Sequence, residues 1–298
     1  MQNVEIAGAL CYEALRGTDR ELDPRIHAAK KHDEQIAAAS NLRRMLSGSE
    51  IGEKYRNSKV QDAYVMRSMA HIHGAAKKLI SEAYEVIVNE MHSVSDNPEI
   101  FAEGEDDGVA VMCGNFDGSF VGSHADMLAM AAAIAGNLVE RGTDRMVNRN
   151  LNDGLPAFLV SNPGLNSGFM IPQYTAAGLM NEIKHLAVPA TIDSIPTCAG
   201  QEDPVSMGYY ASKKALMGVK KLQYVTAIEI YVALQAMDFL KPLEPSPVLG
   251  KLRDFIRKEV PFVDNDRYLY PDIAYITDRV RDCSLVDLVE NEIGALEF

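Results

Sequence analysis

Apolar residues return every three or four positions through most of this chain, the spacing of helices that bury one face. Val4, Ala7, Ala9, Leu10 and Ala14 form the first such stripe, which stops at Gly17. A second runs from Gln35 to Leu46 and ends in the Ser-Gly-Ser-Glu of 47–50, and the stretch between the two reads as a polar connection with an Asp23-Pro24 turn. Ser58 and Gln61 have capping-box spacing and predict a helix from there to about Val94, with a stripe of Met69, Ile72, Ala76, Leu79, Ile80, Ala83, Val86, Ile87 and Met91. His124–Arg141 is rich in small residues (Ala125, Ala129, Ala132, Ala133, Gly136), which lets neighbouring helices approach closely. Gln173–Ala187 is predicted helical as well.

The longest helix is predicted last. Gly200-Gln201-Glu202-Asp203-Pro204 reads as its approach, with Asp203 as N-cap and Pro204 at the first helical position. From there the pattern continues unbroken to Leu240, and Gly208–Leu240 alone would span about 50 Å. Met217, Leu222, Val225, Ile228, Leu234 and Met237 supply its apolar content, and so long a helix needs neighbours along its whole flank. The helical pattern fails over Glu103–Gly122, where VAVMCGNFDG reads as a short strand or extended segment entering a glycine turn. The EGEDDG before it begins like a calcium loop, but its twelfth position is Gly114 rather than a bidentate Glu, so calcium is rejected. Three prolines in KPLEPSPVLG break the chain after Leu240. The expectation is an all-α fold: a central bundle of long helices over 1–240, a smaller helical segment over 241–298, and a short irregular or β segment near 103–122.

Composition narrows the classes. Hydrophobic residues make up 47% and charged ones 24% of 298, the balance of a globular chain with a substantial core. A net charge of −13 repels phosphate backbones and anionic membranes, so neither nucleic acid nor a membrane is an expected partner. The basic pairs Lys30-Lys31, Arg43-Arg44, Lys77-Lys78, Lys213-Lys214 and Lys220-Lys221 lie among acids and read as solvated helix faces. Cys11, Cys113, Cys198 and Cys283 are far apart, as reduced thiols of a cytoplasmic protein would be. The N-terminus, with Glu5 and Glu13 and no basic region, is not a signal peptide, and the longest apolar run, Met127–Gly136, is too short to cross a bilayer. His27 and His32 lack a second ligand at metal-binding spacing, and His71 and His73 face different ways on a helix, so no metal is expected. H-E-x-x-H, P-loop, G-x-S-x-G and G-x-G-x-x-G motifs are all missing.

Candidate chemistry gathers in VQDAYVMRS (60–68), Gly114-Asn115-Phe116, GLNSGFM (164–170) and the TIDSIPTCAGQEDPVSM of 191–207. Together these segments resemble the aromatic amino acid lyase family, and within it the histidine ammonia-lyases. The resemblance implies the helical bundle of the aromatic lyase and fumarase–aspartase type, a tetramer-like oligomer, and elimination of ammonia from L-histidine to give urocanate. It also implies the family's electrophile, a 4-methylidene-imidazol-5-one (MIO) formed from an internal Ala-Ser-Gly. Here Ala39-Ser40 is followed by Asn41 and Ala211-Ser212 by Lys213. The resemblance therefore implies a C-terminal subunit or fragment, inactive alone, whose MIO is supplied by an N-terminal partner chain.

Site residues carry over by position. Arg67 would grip the substrate carboxylate with a two-pronged guanidinium contact, and Tyr64 would offer a phenolic hydroxyl near the reacting centre. Glu202 would face the imidazole, whose N–H an acid can pair with; phenylalanine and tyrosine lyases tend to carry an amide there. Gln61, Phe116, Asn166 and Gln201 would shape the pocket. On a continuous helix Gln61, Tyr64 and Arg67 fan over about 120° of one face. Pro204 departs from the histidine version, which usually has His at that position; proline suits a helix start.

Plainer readings of the same residues stand beside these. Glu202 could simply complement a helix dipole, Tyr64 and Phe116 could be core, and Arg67 could be a surface ion-pair partner. The chain could be a non-catalytic lyase-like protein that binds an amino acid or regulates a complete relative. It could act on tyrosine or phenylalanine as a lyase or aminomutase, or be a truncated piece.

Overall fold

The computed structural model describes residues 1–104 and 107–298. Its helices in chain order are α1 (Gln2–Ala14), α2 (Pro24–Lys30), α3 (Asp33–Leu46), α4 (Glu50–Tyr55), α5 (Tyr64–Arg67), α6 (Met69–Met91), α7 (Ser119–Val147) and α8 (Met170–Leu186). They continue with α9 (Gly208–Asp238), α10 (Pro247–Arg257), α11 (Tyr270–Arg281) and α12 (Ser284–Ile293). The strands β1 (Glu99–Ala102) and β2 (Gly108–Val111) form an antiparallel hairpin with Glu99 opposite Val111. The fold is the expected helical one with a small β element. Of the EGEDDG stretch read for calcium, Glu105 and Asp106 lie outside the described residues.

The 29-residue α7 and 31-residue α9 lie along each other at the centre, and α1, α6, α8 and α11 pack around them. The C-terminal half of α9, from Val225 to Met237, is buried on every side, as a helix without a polar face must be. Among the described residues the larger of two apolar clusters runs from Val4 to Leu296, so α10–α12 share it with the long helices, and a small second one of Ala125, Ala129, Ala190, Ala211 and Ala215 lies where α7 meets α9. The small residues of α7 act as the spacing suggested. A Cβ on Gly136 would stand 2.6 Å from Met180 Sδ of α8, and one on Gly122 would stand 3.0 Å from Gly208 Cα of α9.

Three expectations of local structure are corrected. The connection before Gln35 contains helix α2, which Asp23 caps by accepting the Arg25 N–H at 2.9 Å, with Pro24 as first residue. The helix expected from Ser58 begins instead at Tyr64 and is interrupted at Ser68, because Asp62 is held elsewhere. Its Oδ2 accepts the Thr18 N–H at 2.6 Å, and its own N–H donates to Glu21 Oε1 at 2.9 Å. The long helix begins at Gly208, not Pro204. Thr197 and Glu202 pair through their backbones in both directions, and Ser194 Oγ accepts the Val205 N–H, so this stretch is pinned as a loop.

In two of the basic pairs one lysine is not solvated, while its neighbour, Lys78 or Lys213, is exposed. Lys77 is fully buried, 2.6 Å from Glu5 Oε1, and donates to the Glu297 carbonyl at 2.7 Å. Lys214 is only 3% exposed. Among the described residues no helix is long and apolar enough to cross a membrane, and no cluster of His, Cys, Asp and Glu could hold a metal ion.

Candidate active site

Tyr64 and Arg67 stand on the single turn of α5, which is fixed from behind. The Tyr12 hydroxyl donates to the Met66 carbonyl at 3.1 Å, while Val65 and Met66 enter the core. The other face is open: Tyr64 is 72% exposed, and the Arg67 guanidinium lies over its ring, 4.6 Å from the centroid. Arg67 makes no salt bridge among the described residues, and its Nε is buried with no hydrogen-bond partner. A buried, uncommitted guanidinium N–H normally marks a place where an acceptor belongs. Gln61 is exposed and precedes the turn, so it does not share a helix face with the other two.

Phe116 lies in the turn between β2 and α7, where the Asp117 N–H donates to the Gly114 carbonyl at 3.0 Å. It is 58% exposed and therefore not core.

The GLNSGFM loop is built around its glycine and its asparagine. Gly168 has φ +51°, and a Cβ there would stand 2.5 Å from the Phe158 carbonyl oxygen, so a side chain is excluded on both counts. Asn166 is buried; it donates to the Ser161 carbonyl at 3.0 Å and accepts the Asp266 N–H at 3.1 Å. Asp266 returns the contact by accepting the N–H groups of Ser167 and Gly168 at 2.8 and 2.7 Å. The Asn166 amide is thus committed at both ends to shaping this loop.

Gln201 and Glu202 are exposed on the strap between α8 and α9. Glu202 Oε2 accepts the Thr197 hydroxyl at 2.6 Å, which fixes one carboxylate oxygen and leaves the other without a protein donor among the described residues. Six positions separate Glu202 from the first residue of α9, so it does not serve the dipole of that helix.

Arg67 and Tyr64 are the candidate residues brought into direct contact with each other. Among the described residues no hydrogen bond or ring contact joins them to Phe116 or Glu202. What the arrangement offers is groups of the right kind on three separate segments: a half-buried cationic fork with an exposed phenol, an exposed ring, and an exposed carboxylate. Thr197, Asp266, Asp126 and Lys214, which hold these connections, were not among the predicted site residues. Asp126 carried a signal, as the lone acid between Ala125 and Ala135 on a small-residue helix face; Lys214 was hidden in a basic pair.

The chain belongs to the aromatic amino acid lyase family, whose model matches residues 1–258. It is 41% identical over 295 residues to a histidine ammonia-lyase of Sorangium cellulosum, covering 98% of this chain and 57% of that protein. It is likewise 41% identical over 297 residues to a histidine ammonia-lyase of Symbiobacterium thermophilum, covering 100% and 58%. Among solved structures, histidine ammonia-lyase from Trypanosoma cruzi matches with TM-score 0.89 at 36% identity, over 97% of this chain and 54% of that one. Tyrosine aminomutase from Streptomyces globisporus matches with TM-score 0.92 at 29% identity, over 99% and 60%. The chain thus spans less than two thirds of the length of these relatives.

Proposed function

We propose that this chain supplies the substrate-recognition part of a histidine ammonia-lyase, which eliminates ammonia from L-histidine to give urocanate. The observation that carries the reading is Arg67: a guanidinium with a buried, unpartnered N–H, stacked on an exposed tyrosine, in a family whose substrates are amino acids. The histidine preference is supported by Glu202 and by relatives of that name at 41% identity.

No Ala-Ser-Gly occurs in the 298 residues, so the electrophile must come from residues outside them, on a partner chain or in a longer form of this one. The groups present suit such a neighbour, since Tyr64, Phe116 and Glu202 are exposed and a pocket completed by other segments would cover them. When present, the MIO group makes the amine of the substrate a better leaving group. This chain's own residues do the rest of what can be assigned. Arg67 binds the carboxylate bidentately, fixing the α-carbon. Tyr64 Oη donates or accepts a hydrogen bond at the reacting centre. Glu202 pairs with an imidazole N–H, oriented by the Thr197 hydroxyl, and Gln61, Phe116 and Gln201 wall the pocket.

Replacing Arg67 with Ala in the assembled enzyme tests the assignment. A steep loss of histidine turnover with assembly intact is expected; unchanged turnover would remove Arg67 from the site. The missing electrophile also supports a second reading, a non-catalytic protein that binds an amino acid, and retention of histidine binding without turnover would favour it.

A further inference from the structure

Between Val188 and Gly208 the chain leaves the helical body and returns to it, and both ends of this strap rest on α7. At the first end, Asp126 Oδ2 accepts the N–H groups of Ala190 and Thr191 at 2.8 and 3.0 Å, and the Thr191 hydroxyl at 2.9 Å. Its Oδ1 accepts Lys214 Nζ at 2.9 Å, and the same ammonium donates to the Val188 carbonyl. At the second end, Gly122 and Gly208 bring α7 and α9 together, and a Cβ on Gly122 would also stand 2.9 Å from Thr191 Cγ2. Between these ends Ile192, Ile195, Gln201 and Glu202 are exposed.

A buried ion pair is a costly way to join two helices, because desolvation offsets most of its attraction. Here the pair has a different use. Asp126 and Lys214 are each 3% exposed, and among the described residues every side-chain hydrogen bond they make beyond each other goes to Val188, Ala190 or Thr191. Three donors converge on one acceptor oxygen of Asp126, an arrangement that favours its ionised form, and Lys214 supplies the counter-charge. Burial pushes the Asp126 carboxyl up, but Lys214, Thr191 and Ala190 outweigh it and hold the group below the usual carboxylate range.

We infer that the Asp126–Lys214 pair is the positioning device of the strap, setting where the Glu202 carboxylate stands and so how the site reads the substrate side chain. The inference rests on the role proposed for Glu202. Neither residue touches substrate; both act through the strap.

The test compares two double variants in the assembled enzyme, each without the ammonium so that none is left buried and unpaired. Asp126→Asn with Lys214→Met keeps an acceptor oxygen for Ala190 and Thr191, whereas Asp126→Ala with Lys214→Met removes it. With the alanine pair, the strap amides of 190–205 should exchange with solvent about tenfold faster than with the asparagine pair, while those of Val225–Met237 stay unchanged. Histidine kcat/KM should fall about tenfold between the same two proteins, and this difference should vanish when both also carry Glu202→Gln. A difference that persists at full size without Glu202, or strap exchange that is the same in both, would overturn the inference. If the unaltered assembly turns over no histidine, the role of Glu202 falls and the coupling to it is overturned. Faster strap exchange in the alanine pair would then still uphold the anchor.

Discussion

The guanidinium of Arg67 lies over the ring of Tyr64, 4.6 Å from its centroid, so the two polar candidates on α5 hold each other in one arrangement. Stacking leaves the edge of the fork free to meet a carboxylate, a geometry lysine cannot supply. Arg67→Lys is expected to raise KM for L-histidine roughly tenfold to a hundredfold, the loss of one or two charge-assisted hydrogen bonds. Tyr64→Phe keeps the ring under the guanidinium and should lower kcat more than it raises KM. Steady-state kinetics of the two variants would separate these effects, and matching changes in both parameters would deny them distinct roles.

Thr197 orients Glu202 through a 2.6 Å hydrogen bond on an exposed part of the strap. Thr197→Val should therefore reduce histidine kcat/KM by about five- to tenfold, the net worth of one ordinary hydrogen bond, with little change in stability. Thermal unfolding and kinetics on the same preparation check this.

Glu13 joins three elements at once. Buried near the C-terminal end of α1, it accepts the Ser49 hydroxyl at 2.6 Å and the Ser246 N–H at 2.9 Å, and these serines are the N-caps of α4 and α10. Burial pushes its carboxyl up to about 7, against the pull of those two bonds. Because the folded value is the raised one, the folded state binds the proton more tightly. This contribution is fully present below about pH 4.5 and is lost as pH rises through 7. Glu13→Gln mimics the protonated form and should flatten the fall in stability between pH 5 and 8, a difference on the order of 2–3 kcal/mol. Denaturant unfolding across that range is the measurement, and parallel curves for the two proteins would contradict the argument.

Gly142 lies where α7 meets α1 and α9. A Cβ there would overlap Glu229 Oε1 outright and stand 3.0 Å from Cys11 Sγ. Burial holds the Glu229 carboxyl well above the usual range, and its neighbours leave it no open space to retreat into. Gly142→Ala should cost about 1–3 kcal/mol by overpacking, read as a lower denaturant midpoint.

The bundle was legible because its helices are long and carry a 3.6-residue stripe, and α1, α3 and α8 fall within a few residues of the expectation. Shorter features depended on partners distant in sequence. Asp-Pro occurs at 23–24 and at 203–204; the first starts a helix and the second does not. The difference lies in Ser194 and Thr197, which claim the backbone of Val205 and Glu202 before a helix can. The Ser58 box failed for the same reason, since Thr18 and Glu21 hold Asp62. Arg67, Tyr64 and Glu202 were readable only through family resemblance, as nothing in local spacing distinguishes them from surface residues. Asp126 and Lys214 escaped because their partnership spans 88 positions.

The most direct test follows urocanate by its ultraviolet absorbance after L-histidine is given to this chain, purified gently with whatever accompanies it in its own cells. Urocanate is expected to form, to depend on an Ala-Ser-Gly segment in a companion chain or a longer form, and to disappear when that segment is stripped away. An assembly that contains the segment and binds histidine yet forms no urocanate would contradict the proposed function.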